Sequence, residues 1–570
     1  MDHANSQRQL ELGSVRLAGA IVSIAALAGL AAPTACSTSG GWAGAAATGG
    51  AGGGAGNSGA RPPGELLPAR VRRLANAEYD GSVQALLSTR RTPASEPDFP
   101  PDLRRDGFTV NAAQRVDAVV IERLADAADT LATEAQADGT LARLAPCASL
   151  ADGASCARAF ITTFGAKVYR RALIEEEVKA LSALYAVGAD GASYADGIAH
   201  VTRGLLQSAG FLYLTELGSG VARADGTVAM TPHEIAASLA YLVTSAPPDS
   251  ELAAKAVSGA LADPAQRAAQ ARRLFSTDPR ARDTVVRLVR EWLGIDRIDA
   301  SAKDSLVYPS FEATKARIVA ESRDFVRAVA FESTGTVGEL LGARWTVSSG
   351  PVALYRNIGN GPTVASGSTS LTDRTGILNQ AAFLASYALA HESHPVFRGV
   401  AVAQRVTCMG LDSPASFNIQ VIPPAPDPTM TTRERYDVHV RDSICAGCHD
   451  TIDPFGFAFE HYDGMGAYRD LDRGKPVDSA VDVAIDRDFD GHYTDSNQLA
   501  AALAQSATVR ECFARFMFRA LAGNGDGAAT PGEEDFVAAW RATPAAAGGN
   551  IVETLIGAVT RPSFAVRGAP

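Results

Sequence analysis

The amino-acid sequence predicts a mainly α-helical protein built from several domains, and three observations support that fold class. The chain has 570 residues, more than one domain with a single hydrophobic core normally holds. Hydrophobic residues make up 46% of it and charged residues 20%, as in globular proteins. From residue 66 onward apolar residues recur at helical spacing in most segments, whereas the alternation typical of strands is scarce.

The first 36 residues have the order of a secretory signal peptide, which does not contribute to the fold. Two arginines precede an uncharged apolar run at 17–32, and Cys36 follows within "PTACSTSGG". A cysteine before a Ser/Gly-rich stretch is typical of bacterial lipoproteins, although Pro33 stands where such junctions commonly have Leu. We expect lipidation at Cys36; the alternatives are plain cleavage and an uncleaved anchor.

Residues 37–64 are rich in Gly, Ala and Ser and have no apolar period. Such a stretch cannot bury enough apolar surface to order itself, so it predicts a flexible linker. Together the two segments predict an exported protein of the cell envelope that is attached to a membrane through a lipid anchor. Ser37, directly after the cysteine, favours an outer-membrane lipoprotein facing the periplasm or the cell surface.

The rest of the chain divides into segments that carry amphipathic helices. In "TPHEIAASLAYLV", Thr231 is the predicted N-cap and Pro232 lies in the first turn, whereas "RRLANAEYDGSVQALL" has Asn76 as its predicted N-cap. The best strand candidate is the short "ARWTVSS", and residues 355–375 predict a loop because Gly, Ser and Thr predominate there. The predicted domains are an N-terminal helical domain (65–145), a helical domain with a local disulfide (146–222), a third helical domain (223–354), a domain with a CxxCH motif (370–472) and a C-terminal helical domain (483–566).

The sequence "CAGCH" at residues 445–449 is the most specific chemical motif in the chain. On a helix, Cys445 and Cys448 lie one turn apart, so both thiols can reach the vinyl groups of one porphyrin while His449 supplies an axial nitrogen. A zinc site needs four ligands, usually including a second Cys/His pair, and the sequence has no second CxxC. A thioredoxin-type disulfide lies in a βαβ unit, which this sequence does not predict. The motif therefore predicts one covalently bound haem c, with zinc or a disulfide as alternatives.

Seven cysteines are present, and an exported protein folds in an oxidising compartment. If Cys36 carries lipid and the two CxxCH thiols carry haem, four cysteines remain, enough for two bridges. Cys147 and Cys156 are the natural local pair, because only a short loop separates them. Cys408 and Cys512 would then join the segments before and after the motif. Buried free thiols are the alternative for both pairs.

The sequence around the motif also resembles a known protein family. "TTRERYDVHVRDSICAGCHDTIDPFGFAFEHYDGMGAYRD" is similar to the signature region of planctomycete- and myxobacterial-type cytochrome-like secreted proteins, which consist of serial domains of unknown function. The likeness extends, in the family's order, to "RRLANAEYDGSVQALL", "DRTGILNQAAFLA", "HPVFRGVAVAQRVTC" and "ECFARFMFRALAG". Two positions depart from the family pattern: His394 replaces an expected Ser and Leu214 an expected Arg. The resemblance implies an exported c-type haem protein and no particular reaction.

The sixth ligand of a haem iron would decide whether the haem transfers electrons or reacts with a substrate. Met or His there favours electron transfer, whereas an open position permits peroxide or oxygen chemistry. The candidates are Met465 and His439 and, less strongly, Met517 and His461; the alternative for each is ordinary packing or hydrogen bonding. Other polar residues near the motif can bond haem propionates, orient His449 or form structural ion pairs, and the structural role is favoured: Asp453, Glu460, Asp463 and Arg469.

The sequence also bears on two further partners, calcium and nucleic acid. "DRDFDGHYTDSN" (486–497) places acids at positions 1, 3 and 5 and glycine at position 6, as in a calcium loop. Asn497 stands at position 12, where Glu is usual, so a solvated acidic turn is favoured over calcium. The formal net charge of −11 argues against a nucleic-acid partner, which would favour clustered Lys and Arg.

These observations predict a lipid-anchored, mono-haem c-type cytochrome that exchanges electrons with a redox partner in the cell envelope. One alternative is a haem enzyme that oxidises an extracellular substrate with peroxide or oxygen. The other is a surface-binding protein in which haem or another metal is structural. Whether the protein is an enzyme depends on the sixth ligand, which the sequence does not decide.

Overall fold

A computed structural model describes residues 66–149, 152–347, 354–355, 358–359, 367–371, 373–411, 424–425, 427–441, 443–523, 530–543 and 549–569. The predicted signal peptide, Cys36 and the predicted linker lie outside the described residues. Within those ranges, no helix combines the length and the apolar character that crossing a membrane requires. The architecture is mainly α-helical, as predicted, with a few short strands.

Residues 66–216 form the first helical layer, which has its own hydrophobic core. Ser193 begins one of its helices with a capping box, because Ser193 and Asp196 each accept a backbone N–H from the other. The apolar face of that helix, which includes Ile198, Val201 and Leu205, is fully buried. The elements of this layer are β1 (Arg70–Arg73), α1 (Asn76–Leu87), α2 (Ala118–Ala137), α3 (Thr140–Leu144), α4 (Gly153–Tyr169), α5 (Glu175–Ala189), α6 (Tyr194–Gln207), α7 (Ala209–Leu212) and β2 (Tyr213–Glu216).

The start of α1 differs from the prediction by one residue. Ala75 is the N-cap, and the Glu78 carboxylate accepts its backbone N–H at 2.9 Å. Asn76 is the first helical residue, and its side chain donates instead to the carbonyl of Pro100. The predicted Asn76 cap is therefore wrong, because Glu78, three residues after Ala75, accepts the free backbone N–H at the start of the helix.

Residues 223–347 continue the helical architecture. Thr231 caps its helix by accepting the backbone N–H of Glu234, with Pro232 as the first helical residue, as predicted. The elements are β3 (Thr227–Ala229), α8 (Pro232–Thr244), α9 (Ser250–Val257), α10 (Pro264–Thr277), α11 (Pro279–Leu293), α12 (Phe311–Glu332), α13 (Val337–Gly342) and β4 (Trp345–Val347).

The remaining elements enclose the CxxCH segment and complete the chain. They are β5 (Ile358–Gly359), β6 (Ser368–Leu371), α14 (Ala381–Ser386), α15 (Pro395–Ala401), α16 (Thr432–Tyr436), α17 (Ser443–Phe457), β7 (Leu471–Asp472), β8 (Lys475–Pro476), β9 (Val481–Val483), β10 (Gly491–Tyr493), α18 (Ser496–Gln505), α19 (Ala507–Ala522), α20 (Glu533–Arg541), α21 (Ile551–Val559) and β11 (Val566–Gly568). A π-helical turn, Val402–Val406, continues α15.

One large hydrophobic core joins α8 through α19 with α21, whereas the buried side chains of α20 form a smaller core with residues of α19 and α21. Trp292 lies inside it, fully buried, with its ring edge-on to Phe513 and its Nε1–H donating to the carbonyl of Arg405 at 2.6 Å. The predicted segments 223–354, 370–472 and 483–566 all contribute side chains to this core. The CxxCH helix is thus built onto a shared scaffold.

Short strands connect parts of the chain that are distant in sequence. β1 pairs antiparallel with β2 (Arg70 opposite Glu216), and β3 pairs antiparallel with β11 (Val228 opposite Arg567). The strand predicted in "ARWTVSS" is β4, and it belongs to a three-stranded sheet in the order β4–β6–β5. The predicted loop at 355–375 is therefore partly wrong, because two strands of that sheet lie within it. Their backbones bond to each other and to β4, a pairing that the local composition does not indicate.

Both predicted disulfides are confirmed. Cys147 bonds to Cys156, with 5.5 Å between their Cα atoms, and Cys408 bonds to Cys512 across 104 positions of sequence. The second bridge ties the end of the π-helical turn to α19. Because loop-closure entropy grows with loop length, this bridge restricts the unfolded chain more than the first one does.

Candidate functional site

The CxxCH motif lies on a helix, as the sequence analysis assumed, and occupies the first half of α17. Cys445 and Cys448 are free thiols, each partly exposed, and the spacing of three residues puts them one turn apart on the same side. They are not bonded to each other, unlike the four cysteines of the two disulfides. The thiols are therefore available for chemistry on the surface of a helix whose second half is buried.

Two glycines let α15 cross α17 at close range. A Cβ atom on Gly399 would lie 2.2 Å from the carbonyl oxygen of Ile452, and one on Gly456 would lie 2.0 Å from that of Pro395. No side chain fits at either point. Because residue 399 meets 452 while 395 meets 456, the two helices run antiparallel, and α15 fixes the half of α17 that follows the motif.

His449 is held by a carboxylate one turn further along α17. Its Nδ1 lies 2.8 Å from Oδ1 of Asp453, whose side chain is 2% exposed. Within the part of the chain that the structure describes, the other oxygen of Asp453, Oδ2, is buried and accepts no hydrogen bond. A carboxylate hydrogen-bonded to Nδ1 orients the ring, so that Nε2 is the nitrogen that could bind a metal. Of the roles considered for Asp453, the geometry matches orientation of His449.

These donors fit a c-type haem better than the alternatives. Covalent haem requires two thiols and one axial nitrogen, and α17 carries all three. A protein zinc site needs several converging ligands, and among the described residues no three His, Cys, Asp or Glu side chains form such a group. The residues Cys445, Cys448 and His449 remain a predicted haem site that the donor chemistry supports.

The aromatic residues that follow the motif anchor α17 in the main core. Phe455 and Phe459 are fully buried, and their rings pack against Phe489 and Phe383 at centroid distances of 6.2 and 6.0 Å. Tyr462 is also buried, and its hydroxyl donates to the carbonyl of Asp373. These rings therefore pack against other parts of the protein.

A buried ion-pair network lies behind the helix, and we call Arg398, Glu460, Arg469 and Asp472 the Glu460 cluster. Glu460 accepts from Arg469 at 2.7 Å and from Ser393 at 3.0 Å, and Arg469 also donates to Asp472 at 2.8 Å. Burial raises the pKa of Glu460. The favoured structural role of Glu460 and Arg469 matches these contacts.

Arg398 is the most enclosed member of the Glu460 cluster, with no exposed surface. It donates to four backbone carbonyls and lies 3.8 Å from Glu460. Burial lowers the pKa of Arg398 to about 10, opposed by the negative charge of Glu460. The accepting carbonyls belong to Leu384, Phe459, Tyr462 and Asp463.

The candidate sixth ligands occupy different surroundings. Met465 is 5% exposed in a turn where Asp463 accepts the backbone N–H groups of Met465 and Ala467, which matches a structural role for Asp463. Met517 is 1% exposed on α19, within the main core. His461 bonds to the carbonyl of Arg469 through Nδ1.

His439 lies in the short 3-10 helix Asp437–Arg441 that leads into α17, and its side chain lies outside the described residues. The sixth ligand therefore stays a prediction for His439 and Met465.

Three acids of the segment 486–497, which has part of a calcium-loop pattern, bond to backbone and hydroxyl groups near them. Asp488 accepts from Ser506 and from the backbone of Ala507 at the start of α19. Asp490 accepts from the backbone N–H of Ile485, and Asp495 caps α18. These contacts give Asp488, Asp490 and Asp495 local structural roles.

The two departures from the family pattern also have local roles. His394 is the N-cap of α15, where its Nδ1 accepts the backbone N–H of Phe397 at 3.1 Å, as a serine oxygen at this position would. Leu214 is 4% exposed and pairs with Arg72 across β1 and β2. Neither departure touches the thiols of α17.

Sequence reasoning missed several residues that position the site. It did not single out Gly399, Gly456 or Arg398, although an arginine and a glycine inside the apolar run "HPVFRGVAVA" were visible signals. Nor did it identify Arg374, which donates to the carbonyl of Gly466 and so holds the Met465 turn.

Comparison with known protein families finds four domain models in series along the chain, each described as a protein of unknown function. They are DUF1587 (residues 72–137), DUF1595 (156–216), DUF1592 (230–357) and DUF1588 (374–472). The chain thus carries four domains of the planctomycete-type, cytochrome-like set. DUF1588, which spans α17, has the short name PSCyt3, and that name indicates a cytochrome-like domain.

No curated protein and no solved structure matches the chain. The four domain models therefore define what is known of its relatives.

Proposed function

We propose that this protein is an exported c-type cytochrome-like protein with one haem, attached through Cys445 and Cys448 and ligated by His449. The observation that carries the proposal is the arrangement on α17: two free thiols one turn apart, next to an imidazole held by a buried carboxylate. The cytochrome-like name of the DUF1588 model supports it independently.

Attachment needs only groups that this chain and the porphyrin supply. Each thiol adds across one vinyl group, so that a C–S bond forms and the thiol proton moves to the neighbouring vinyl carbon. A bound haem supplies one-electron chemistry, and the chain sets its conditions. His449 binds through Nε2, while Asp453 keeps Nδ1 protonated and the ring oriented.

We further propose that the protein is anchored by lipid on Cys36 and exchanges electrons with a redox partner in the cell envelope. The apolar run before Cys36 and the Gly-rich stretch after it support this location. Fractionation of cells that produce the full chain tests it. The wild type should be in the membrane fraction and a Cys36→Ala variant should not; equal membrane association of both would contradict the anchor.

The decisive test of the haem is a pyridine haemochrome spectrum of the full chain, produced together with the cytochrome c maturation machinery. We expect one covalently bound haem per chain. Cys445→Ala/Cys448→Ala should abolish it. The matched control, Cys147→Ala/Cys156→Ala, also removes two cysteines but should keep the haem. Absence of covalent haem from the wild type, or equal haem in both double variants, would refute the proposal.

A second candidate function is peroxide-dependent oxidation. The His449–Asp453 pair favours it, because a carboxylate hydrogen-bonded to an axial imidazole would stabilise oxidised iron by its negative charge. A high-spin spectrum with peroxide turnover would support the enzyme, whereas a low-spin spectrum without turnover would support electron transfer.

Asp453→Asn isolates the contribution of the carboxylate. We expect haem to attach normally and the equilibrium constant for reduction to rise at least tenfold, about 59 mV for a one-electron couple. Asp450→Asn, at an exposed position on the same helix, is the control. An unchanged potential in Asp453→Asn would show that the pair does not tune the iron.

A further inference from the structure

A cavity lined by four arginines lies where the first helical layer meets the end of the chain. It offers about 70 Å³ of space to the centre of a water-sized sphere, and its charged walls come from β1, α1, β2, α11 and β11. The charged lining residues are Arg70, Arg72, Arg287, Arg567, Glu78 and Glu216.

Five of these residues form what we call the Glu216 cluster: Arg70, Arg72, Arg567, Glu78 and Glu216. Glu216 accepts from Arg70 at 2.7 Å and from Arg567 at 2.8 Å, and the side chains of all three are at most 9% exposed. Arg72 forms a two-bond pair with Glu78. Strand pairing creates the cluster. Arg70 lies opposite Glu216 in the β1–β2 pair, and the pairing of β11 with β3 positions Arg567.

The Glu216 cluster holds more positive than negative charge. Three guanidinium groups share two carboxylates, and Arg287, the fourth arginine of the wall, pairs with Glu291 at 3.2 Å. Burial lowers the pKa of Arg70, Glu216 opposes this effect, and the nearby charges of Arg567 and Arg72 add to it. A buried charge without a counterion is unfavourable, so a single negative charge in the cavity would stabilise the cluster.

Guanidinium donors remain for such a charge. Arg70 bonds to Glu216 through Nε and to the carbonyl of Ala522 through Nη1, and its Nη2 carries two further N–H groups. Arg287 makes only long bonds, 3.2 Å to Glu291 and 3.4 Å to Ser245. Arginine forks of this kind match the planar geometry of a carboxylate.

Most of the rest of the wall is apolar, and the hydroxyl residues Ser238, Tyr241 and Ser563 are the exceptions. Leucine and phenylalanine side chains from four different elements close the cavity beside the arginines: Leu67, Leu242, Phe518 and Phe564. Convergent polar groups on one side of an apolar cavity are typical of small-molecule sites. The apolar side matches a short hydrocarbon chain.

We propose that this cavity binds a small monocarboxylate with a short apolar chain. The carboxylate lies against Arg70 and Arg287, and the chain lies against the leucine and phenylalanine side chains. This site is independent of haem at α17.

Isothermal titration calorimetry of the full chain with butyrate tests the proposal. Chloride at equal ionic strength, 1-butanol, acetate and inorganic phosphate are the comparison ligands. We expect saturable binding of butyrate, weaker binding of acetate and none of 1-butanol. Tighter binding of phosphate than of butyrate would overturn the assignment, as would binding of 1-butanol equal to that of butyrate, or no binding of butyrate at all.

Two variants locate the site. Arg70→Gln and Arg287→Gln should each weaken butyrate binding at least tenfold, whereas Arg272→Gln, in the exposed pair with Glu553, should leave it unchanged. Glu216 keeps Arg567 in the Arg70 variant, and the bonds of Arg287 are long, so both variants are expected to fold. Should Arg70→Gln not fold, Arg287→Gln alone decides: unchanged butyrate affinity would overturn the proposal.

Discussion

Two buried ion-pair networks in this protein consist of the same types of side chain, arginines and carboxylates, in different proportions. In the Glu460 cluster two arginines face two carboxylates, and Arg398 directs its Nη1 and Nη2 donors to backbone carbonyls. In the Glu216 cluster three arginines share two carboxylates beside a cavity. The comparison indicates that burial of ion pairs alone does not mark a binding site; an excess of one charge next to empty space does.

The largest effect should come from Arg398, since its removal leaves four carbonyls without their donor and takes away one of the two arginines near Glu460. We expect Arg398→Met to lower the free energy of unfolding by about 3–5 kcal/mol. Glu460→Gln should cost only about 2 kcal/mol, because burial already favours the neutral form of this carboxyl. Urea unfolding with linear extrapolation measures both. Equal losses in the two variants would contradict the role given to Arg398.

In the Glu216 cluster we expect the carboxylate variant to lose more stability than the arginine variant, because the cluster has fewer carboxylates than arginines. Glu216→Gln should cost about 3 kcal/mol, since Arg70 and Arg567 both lose their counterion. Arg70→Gln should cost about 1 kcal/mol, because Glu216 keeps Arg567. The same urea titrations decide; a greater loss in Arg70→Gln than in Glu216→Gln would show that the cluster has no excess of positive charge.

Glu321 shows what a buried carboxyl does without a guanidinium bond. It accepts from Thr346 at 2.6 Å and from Tyr355, and burial raises its pKa to about 7. Arginines instead hold the pKa of Glu216 well below its usual range. Because folded Glu321 binds its proton more tightly than the unfolded chain does, stability should fall as pH rises from about 4.5 to about 7.

We expect that fall to amount to on the order of 2–3 kcal/mol from Glu321 alone. Glu321→Gln should remove this part of the pH dependence, measured by urea unfolding at a series of pH values. An identical pH profile in the wild type and the variant would contradict the raised pKa.

The smallest effect should come from an exposed pair. Lys475 and Glu434 lie 2.7 Å apart, with side chains 46% and 44% exposed. We expect Lys475→Ala to change the free energy of unfolding by no more than about 0.5 kcal/mol, and less at high salt. A loss above about 2 kcal/mol in the same urea assay would show that distance outweighs burial in these networks.

Much of the local structure could be predicted from the sequence, because its causes are local. The Thr231 cap, the helix at CxxCH and the strand at 345–347 follow from residue type and short-range spacing. The disulfides followed from counting cysteines in an oxidising compartment.

The features that could not be predicted depend on contacts between distant segments. Glu216 and Arg567 are separated by 351 positions, and the strands between 355 and 375 form through the pairing of β6 with β4 and with β5. The same holds within the candidate site. The His449–Asp453 pair follows from an i, i+4 spacing, whereas the crossing of Gly399 over Ile452 requires the fold.

The Cys408–Cys512 disulfide has a consequence for proteolysis. The bridge closes a covalent ring that contains the whole of α17 together with the segment 412–423. A protease that cuts once anywhere inside this ring opens it but releases no fragment, because the disulfide still joins the two new ends to the same molecule. A nicked chain would keep its full mass under non-reducing conditions, and the CxxCH helix would separate into a fragment only after reduction.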